Sequence, residues 1–215
     1  MRRMSLANSV AYRVSSWNRK RKWELFWSKI RPGSETRILD VGFQDASYQP
    51  ADNFIEEHSP WTERITALGI EEPTNFSRRY PDVEVVVYDG WDFPFEDKSF
   101  DVIWSNAVVE HVGDRESQLK FLSECHRVGE RVFLTTPNRW FPVEVHTRLP
   151  LLHWLPKRQF DKILVRIGKA HFAGDYMNLL SRSEFRELLD EAGLRDADIR
   201  TNRLLGLSLD FVAIR

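Results

Sequence analysis

Five short apolar runs, separated by polar or helical segments, constrain the fold of this chain more than any other feature. The runs are nearly continuously apolar, which is typical of strands that helices cover on both faces. Strands that alternate with helices along a sequence predict an α/β protein with a mostly parallel sheet, because parallel neighbours need a long crossover. The runs occupy residues 37–41, 65–70, 83–88, 100–105 and 131–135.

Helical patterns and two further strand-like runs complete the predicted architecture. Ser181 and Glu184 form a capping-box pattern that opens a helix, and Gly193 closes it. Residues 197–201 and 207–214 are strand-like and bring the predicted sheet to seven strands. The apolar stripes that predict helices are Trp23, Phe26, Trp27 and Ile30 before Pro32, then Phe121, Leu122, Cys125 and Val128, and finally Phe185, Leu188 and Leu189.

The composition excludes several classes of protein. The chain has 215 residues, 42% of them hydrophobic and 29% charged, as expected of a globular protein that buries its own core. Cys125 is the only cysteine, which excludes a disulfide framework and a cysteine-based zinc site within one chain. No apolar stretch approaches the ~20 residues of a membrane span. The N-terminus lacks the apolar core of a signal peptide, so we expect a cytoplasmic protein.

Charge is distributed unevenly along the chain. Residues 1–37 contain ten Lys or Arg and two Glu, a net charge of +8, whereas the remainder carries −9. This basic N-terminal arm could contact nucleic acid or, peripherally, an anionic membrane surface. It could also be a helix that docks its aromatic stripe on an acidic body and turns its basic residues to water. We prefer this second interpretation.

The segments that follow the predicted strands resemble a known family. The sequence DGWDFPFEDKSFDVIWSNAVVEHV (residues 89–112) and the sequence TTPN (residues 135–138) are similar to motifs of the Rossmann-like, S-adenosylmethionine-dependent methyltransferases. The similarity is greatest to the small-molecule group related to the ubiquinone-pathway enzymes. It covers residues 37–138 closely and 176–215 more loosely. It implies S-adenosylmethionine as cofactor and a Rossmann-like, seven-stranded, mostly parallel sheet with helices on both faces, an N-terminal helical arm and a helical lid after the fifth strand.

Ligands of open α/β sheets bind at the C-terminal ends of the strands, so the residues just after each run are candidate cofactor contacts. Gly42 would let the backbone approach the methionine part of the cofactor, and Asp40 could face its ammonium group. Glu71 could accept both ribose hydroxyls, and Asp89 could accept from the adenine amino group. The predicted cofactor-binding residues are Asp40, Gly42, Gln44, Glu71, Asp89, Gly90, Trp91 and Asn106, and Phe93 is expected to add apolar surface for the base.

Each of these carboxylates also has a purely structural interpretation. Asp40 could cap the following turn and Asp89 could be a turn residue, while Glu71 could be the N-cap of the next helix. The single residues therefore support the cofactor site only in combination.

The first loop departs from the three-glycine pattern G-x-G-x-G of the family. Only Gly42 is present, and Gln44 and Ala46 replace the second and third glycines. The loop must take another path, or Gln44 must contact the cofactor through its side chain. An insertion that includes Asn53 and Glu56 also precedes the second strand. These departures support a rival interpretation, a catalytically lapsed methyltransferase fold that serves as a binding or regulatory module.

A segment rich in aromatic residues, proline and histidine interrupts the alternation of strands and helices at residues 139–175. We expect this lid to cover an acceptor pocket. Methyl transfer chiefly requires alignment of the reactants, but a hydroxyl or protonated amine also needs a base, and histidine suits neutral pH. The predicted catalytic residues are His146, His111 and Glu144, although both histidines could be packing residues. The expected apolar wall consists of Trp140, Phe141, Leu149, Leu151, Leu152, Trp154 and Leu155.

The sequence thus predicts an arm at residues 1–36 and a methyltransferase domain at 37–215, which transfers a methyl group to a hydroxyl or amine of a small or lipid-linked acceptor. A nucleic-acid methyltransferase is another rival, suggested by the basic arm and the eight tryptophans, but the body is acidic. No spacing of His, Asp and Glu suggests a metal site. The sequence also lacks a phosphate-binding Gly-Lys-Ser loop and a Gly-x-Ser-x-Gly nucleophile elbow.

Overall fold

Seven strands form one sheet in the computed structural model, which describes residues 6–46 and 52–215. The strands are β1 (Ile38–Val41), β2 (Ile65–Gly69), β3 (Glu84–Val87), β4 (Phe100–Asn106), β5 (Gly129–Pro137), β6 (Asp198–Leu204) and β7 (Leu207–Ile214). Their order is β3-β2-β1-β4-β5-β7-β6. The first five strands in this order are parallel, and β7 is antiparallel to β5 and β6. The predicted seven-stranded, mostly parallel sheet is therefore confirmed.

Six α-helices of the described residues connect or cover these strands. They are α1 (Leu6–Ile30), α2 (Phe54–His58), α3 (Thr74–Arg79), α4 (Arg115–Val128), α5 (Lys157–Arg166) and α6 (Arg182–Glu191). The predicted capping box is present at the start of α6, where Ser181 and Glu184 bond reciprocally. No helix in this part of the chain is long and apolar enough to cross a membrane.

The two faces of the sheet carry separate hydrophobic cores, because successive side chains of a strand point to opposite faces. In β1, Leu39 belongs to the core beneath α4 and α6, whereas Ile38 belongs to the core beneath α1, α2 and α3. Both side chains are almost fully buried. This two-sided burial explains why β1 is a continuous apolar run in the sequence.

Helix α1 packs its aromatic stripe on the sheet. Phe26 is 0% exposed and lies edge-on to Trp104 and Phe133, with ring centroids 5.0 and 5.4 Å away. At the C-terminal end of α1, the Arg131 guanidinium donates to the carbonyls of Lys29 and Ile30, both at 2.8 Å. These bonds satisfy carbonyls that a helix end leaves without partners. The predicted docking of the arm on the body is confirmed for its described part; residues 1–5 lie outside the described residues.

Strand β3 corrects one expectation. It lies at the edge of the sheet, and its side chains are half-buried or exposed; Val87 is 42% exposed. The prediction that helices cover every run on both faces is therefore wrong for this strand, because an edge strand has a neighbour on one side only.

The lid between β5 and α6 has a small core of its own. Phe160 and Leu164 of α5 pack with Met177 and Leu179, and they are joined by partly buried side chains that include Leu152. Four members of the expected apolar wall are exposed instead: Trp140, Leu151, Trp154 and Leu155.

Candidate functional site

The turn after β1 depends on a glycine for two reasons. Gly42 has a φ of +104°, and its amide donates to the carbonyl of Leu68 on β2 at 2.8 Å. A Cβ at this position would collide with the side chain of Val108. Gly42 is therefore required by the turn itself and by the packing of the segment that follows β4.

Asp40, the third residue of β1, shares its buried environment with Glu56 of α2. Burial raises the pKa of Asp40 to about 6. Burial and the neighbouring charge of Asp40 raise the pKa of Glu56 well above its usual value. The two carboxyls therefore resist simultaneous ionisation. The sequence showed Glu56 only as part of an insertion and did not indicate that it lies against β1.

Side chains take the place of the missing glycines in the loop after β1. The Gln44 amide donates to Asn53 Oδ1 at 2.9 Å, and Asn53 Nδ2 donates to the Gln44 carbonyl at 2.8 Å. Asp45 accepts from the amides of Asn75 and Phe76, at 2.6 and 2.9 Å, and so binds the first turn of α3. The loop thus takes a different path, and the inserted segment holds it there.

Glu71 follows β2 and is exposed. Its Oε2 accepts a long hydrogen bond, 3.4 Å, from the amide of Asp45 in the loop after β1. The carboxylate therefore lies beside that loop at the C-terminal edge of the sheet, where the sequence predicted it. It does not cap α3, whose N-cap residue is Pro73; the amides of the first turn bond Asp45 instead.

The turn after β3 combines a structural role with an open surface. Asp89 Oδ1 accepts from the amide of Trp91 at 2.9 Å, which is the turn interaction that the sequence left open. Gly90, with a φ of +90°, permits this turn. The side chain of Trp91 is 47% exposed, but Phe93 is 3% exposed and belongs to the core beneath α4 and α6. The expectation that Phe93 offers surface to a base is wrong.

A narrow cavity opens beside Asp40, between α1, the loop after β1 and β4. Its lining includes an ion pair between Arg19 and Asp52 (3.3 Å), neither of which the sequence analysis selected. A guanidinium and two carboxylates are complementary to the carboxylate and ammonium groups of an amino acid. The donor set therefore fits the methionine part of S-adenosylmethionine. The lining residues are Arg19, Asp40, Gly42, Gln44, Asp52, Asn53, Phe54, Trp104 and Asn106.

Lys22 of α1 is buried at the ends of β4, β5 and β7. Its Nζ contacts Asp210 Oδ2 at 2.8 Å, Asn106 Oδ1 at 3.0 Å and Thr135 Oγ1 at 3.1 Å. The expectation that the basic residues of the arm face water is therefore wrong for Lys22. A signal was available, because Lys22 lies four residues before Phe26 and thus on the same helix face.

The structure brings the three predicted catalytic residues together. His146 Nδ1 donates to Glu144 Oε1 at 2.7 Å, and the Nε2 atoms of His146 and His111 are 3.0 Å apart. His111 Nδ1 lies 2.8 Å from the carbonyl of Tyr176. Glu144 is 2% exposed and both rings are half-buried. His111 reaches this cluster from the turn after β4, and His146 reaches it from the lid.

Mutual interactions determine the charges of Glu144 and His146. Burial alone would raise the pKa of Glu144, but hydrogen bonds and the charge of His146 lower it to about 2. Burial would lower the pKa of His146, but the Glu144 carboxylate raises it above its ordinary value. Glu144 is therefore an anion at neutral pH and favours a cation at its neighbour.

Comparisons with known proteins find relatives for part of the chain. Residues 56–131 match the family described as "Methyltransferase domain". A probable S-adenosylmethionine-dependent methyltransferase of Mycolicibacterium smegmatis is 36% identical over 81 residues, 35% of this chain and 30% of that protein. A sarcosine/dimethylglycine N-methyltransferase of Aphanothece halophytica is 31% identical over 110 residues, 46% of this chain and 37% of that protein. The matched segments thus span 30% and 37% of these curated relatives.

A solved structure extends the comparison to almost the whole chain. The magnesium protoporphyrin IX methyltransferase of Synechocystis PCC 6803, determined with bound SAH, has a TM-score of 0.56 and 14% identity, and the match covers 99% of this chain and 89% of that one. At this identity the likeness establishes the fold. Together with the sheet order and the family match, it confirms the resemblance drawn from the sequence. The chain therefore has the fold of the Rossmann-like methyltransferases, and its residues 56–131 match a methyltransferase-domain family.

Proposed function

We propose that this chain transfers a methyl group from S-adenosylmethionine to a hydroxyl or amine of a small or lipid-linked acceptor. The observation that carries the proposal is the row of polar side chains along the C-terminal edge of the sheet. Asp89 follows β3, Glu71 follows β2, Asp40 lies in β1 and Asn106 ends β4. These four strands are adjacent in that order, so the row runs across the sheet as an extended ligand would.

Each part of the row suits one part of the cofactor. Asp89 would accept from the adenine amino group, and Glu71 from the ribose hydroxyls. Asp40 would face the ammonium group, and Arg19 the carboxylate. When bound, S-adenosylmethionine supplies an electrophilic methyl group on a sulfonium centre. The chain's contribution is to hold both reactants in line.

The next position along the row belongs to the acceptor. The cluster of His111, His146 and Glu144 lies after β4 and beneath the lid, so its Nε2 atoms are placed to orient a hydroxyl or an amine. The exposed rings of Trp140 and Trp154, whose centroids are 6.2 Å apart, offer apolar surface for the body of an acceptor. The N-methyltransferase among the relatives supports an amine as the accepting group.

The cofactor site is tested by calorimetric titration with S-adenosylmethionine and with S-adenosylhomocysteine. Glu71→Ala removes charge-assisted hydrogen bonds worth ~1.5–3 kcal/mol, so the affinity should fall roughly ten- to hundredfold. Glu72→Ala, at the exposed neighbouring position, is the matched control and should bind as the parent does. If Glu71→Ala binds the cofactor as the parent does and Glu72→Ala binds it more weakly, Glu72 makes the ribose contact. If both variants bind as the parent does, the proposed ribose site is wrong.

Turnover is tested with labelled S-adenosylmethionine and a panel of sarcosine, dimethylglycine, simple phenols and a total lipid extract. His146→Ala should abolish methyl transfer and leave cofactor affinity unchanged, whereas His171→Ala, at an exposed lid position, should affect neither. A parent protein that binds neither form of the cofactor would instead favour the lapsed fold, whose supporting observation is the single glycine of the first loop.

A further inference from the structure

One oxygen of a fully buried carboxyl group has no hydrogen-bond partner among the described residues. Glu110 is 0% exposed, and its Oε2 accepts from Thr136 Oγ1 at 3.0 Å. Its Oε1 has no hydrogen bond and lies 4.0 Å from His111 Nε2. A buried polar oxygen without a hydrogen-bond donor is costly, so this atom indicates a partner that the side chains around it do not supply.

The hydrogen bonds of both histidines fix their tautomers. A carbonyl can only accept, so His111 donates from Nδ1 to Tyr176. The Glu144 carboxylate likewise accepts from Nδ1 of His146, while it also accepts the backbone amides of His146 and Thr147. Both Nε2 atoms therefore direct lone pairs at each other across 3.0 Å. Two facing lone pairs need a cation between them, either a proton or a metal ion.

We propose that Glu110 Oε1, His111 Nε2 and His146 Nε2 bind one divalent transition-metal ion of the zinc, manganese or iron(II) type. The three ligand atoms lie within 4.8 Å of one another. Two imidazoles and one carboxylate suit these ions and leave coordination positions open. Metal-ligating histidines almost always donate their other ring N–H to a carboxylate or a carbonyl, as both rings do here.

The distances agree with coordination. Metal–nitrogen bonds of ~2.1 Å that span the observed 3.0 Å would meet at roughly a right angle. The 4.0 Å between Glu110 Oε1 and His111 Nε2 is shorter than two such bonds laid end to end. The ion would thus occupy the space at which the three side chains already converge.

The role of the ion rests on the proposed methyltransferase function. It lies between the turn after β4 and the lid, on the side assigned to the acceptor. An open coordination position there would take an oxygen or nitrogen atom of the acceptor and lower its pKa, with the released proton passing to solvent. The cluster then orients the acceptor through the ion instead of through a bare imidazole.

The test uses the whole chain, stripped with EDTA and purified again. Zn²⁺ is titrated by calorimetry, and Co²⁺ is followed by its visible absorption, which reports coordination without any need for activity. The parent should bind one equivalent of either ion. His111→Ala and His146→Ala should weaken binding at least ~100-fold, and Glu144→Gln, which removes the charge that orients His146, roughly 10–100-fold. His171→Ala, at an exposed histidine of the same lid, should bind as the parent does.

Two results would overturn the site: a stripped parent that binds neither ion at micromolar concentration, or histidine variants that bind as the parent does. If a variant does not fold, X-ray absorption of the Zn²⁺-loaded parent still tests the site. The proposal requires two imidazole ligands on the ion, and a spectrum without them would overturn it. Cofactor affinity measured in EDTA keeps the two proposals apart. Binding of S-adenosylmethionine without metal binding would refute the ion alone, and metal binding without cofactor binding would refute the methyltransferase function alone.

Discussion

The two halves of the C-terminal edge hold their polar groups in different ways. One half, at the ends of β2 and β3, is proposed to bind the cofactor and is called the cofactor side; its Glu71 and Asp89 are exposed, and each accepts a hydrogen bond from a backbone amide. The other half, formed by the turn after β4 and the lid, is proposed to bind the acceptor and is called the acceptor side; its Glu110 and Glu144 are 0% and 2% exposed. Glu144 alone accepts three hydrogen bonds from two residues.

This difference has an energetic meaning. An exposed carboxylate at a strand end costs folding little and keeps acceptor capacity for a ligand. A buried carboxylate costs several kcal/mol unless the fold supplies its partners, so the acceptor side is completed during folding. Substitutions on the cofactor side should therefore change ligand affinity, and substitutions among the buried ionic groups should change the free energy of unfolding.

The largest expected effect comes from the buried ion pair of Lys22 and Asp210, which borders the acceptor side. Their side chains are 6% and 4% exposed. Lys22→Ala leaves the Asp210 charge buried without its cation and should lower the free energy of unfolding by about 3–5 kcal/mol, as measured by urea denaturation. Lys20→Ala, at an exposed position of the same helix, should stay within about 0.5 kcal/mol of the parent. A loss below about 1 kcal/mol in Lys22→Ala would show that water solvates Asp210.

The Asp40–Glu56 pair is an exception to this difference, because it lies on the cofactor side and is nevertheless buried. The folded state holds protons on this pair more tightly than the unfolded state does. The free energy of unfolding of the parent should therefore fall as pH rises from about 4 through the pKa of Asp40 at about 6. Glu56→Gln removes one of the two charges and should be more stable than the parent by about 1–3 kcal/mol at pH 8.

That gain should vanish near pH 4, where both carboxyls are protonated in the parent as well. Urea denaturation of the two proteins at both pH values is the measurement. A variant that is less stable than the parent at pH 8 would mean that the Glu56 carboxylate has a positive partner, contrary to the burial and repulsion that raise its pKa.

The smallest expected effect sharpens the account of the cofactor side. Asn53 has a φ of 51°, and its side-chain Oδ1 and Nδ2 atoms both form hydrogen bonds with the backbone of Gln44. Asn53→Gly loses the two hydrogen bonds but adopts the positive φ without strain. Asn53→Ala loses the hydrogen bonds and is also strained at a positive φ. The free energies of unfolding of the two variants should therefore differ by about 1 kcal/mol. Both should weaken S-adenosylmethionine binding, because the loop loses its support. If both variants bind S-adenosylmethionine as tightly as the parent does, the loop after β1 does not contribute to cofactor binding.

Much of the fold follows from local patterns in the sequence. The five parallel runs, the two final strands and the Ser181–Glu184 capping box are present where the sequence predicts them. Exposure of β3 was not predictable, because strand order decides which strand lies at the edge, and a run of Val residues reads alike in either place. Phe93 belongs to the core and not to a ligand site, because an aromatic residue in a turn has the same sequence pattern whether its ring packs inward or faces a ligand.

The sequence by itself determined the elements and which residue types end each strand, because side-chain periodicity and capping act over a few residues. Only the tertiary structure decided which of these residues meet. His111 and His146 come from separate elements, as do Asp40 and Glu56, and Lys22 finds Asp210 near the other end of the chain. The physical reason is that a charged or polar residue has the same local pattern whether it faces water or a distant partner. The sheet order and the docking of α1 and the lid decide whether such a residue faces water or meets a distant partner.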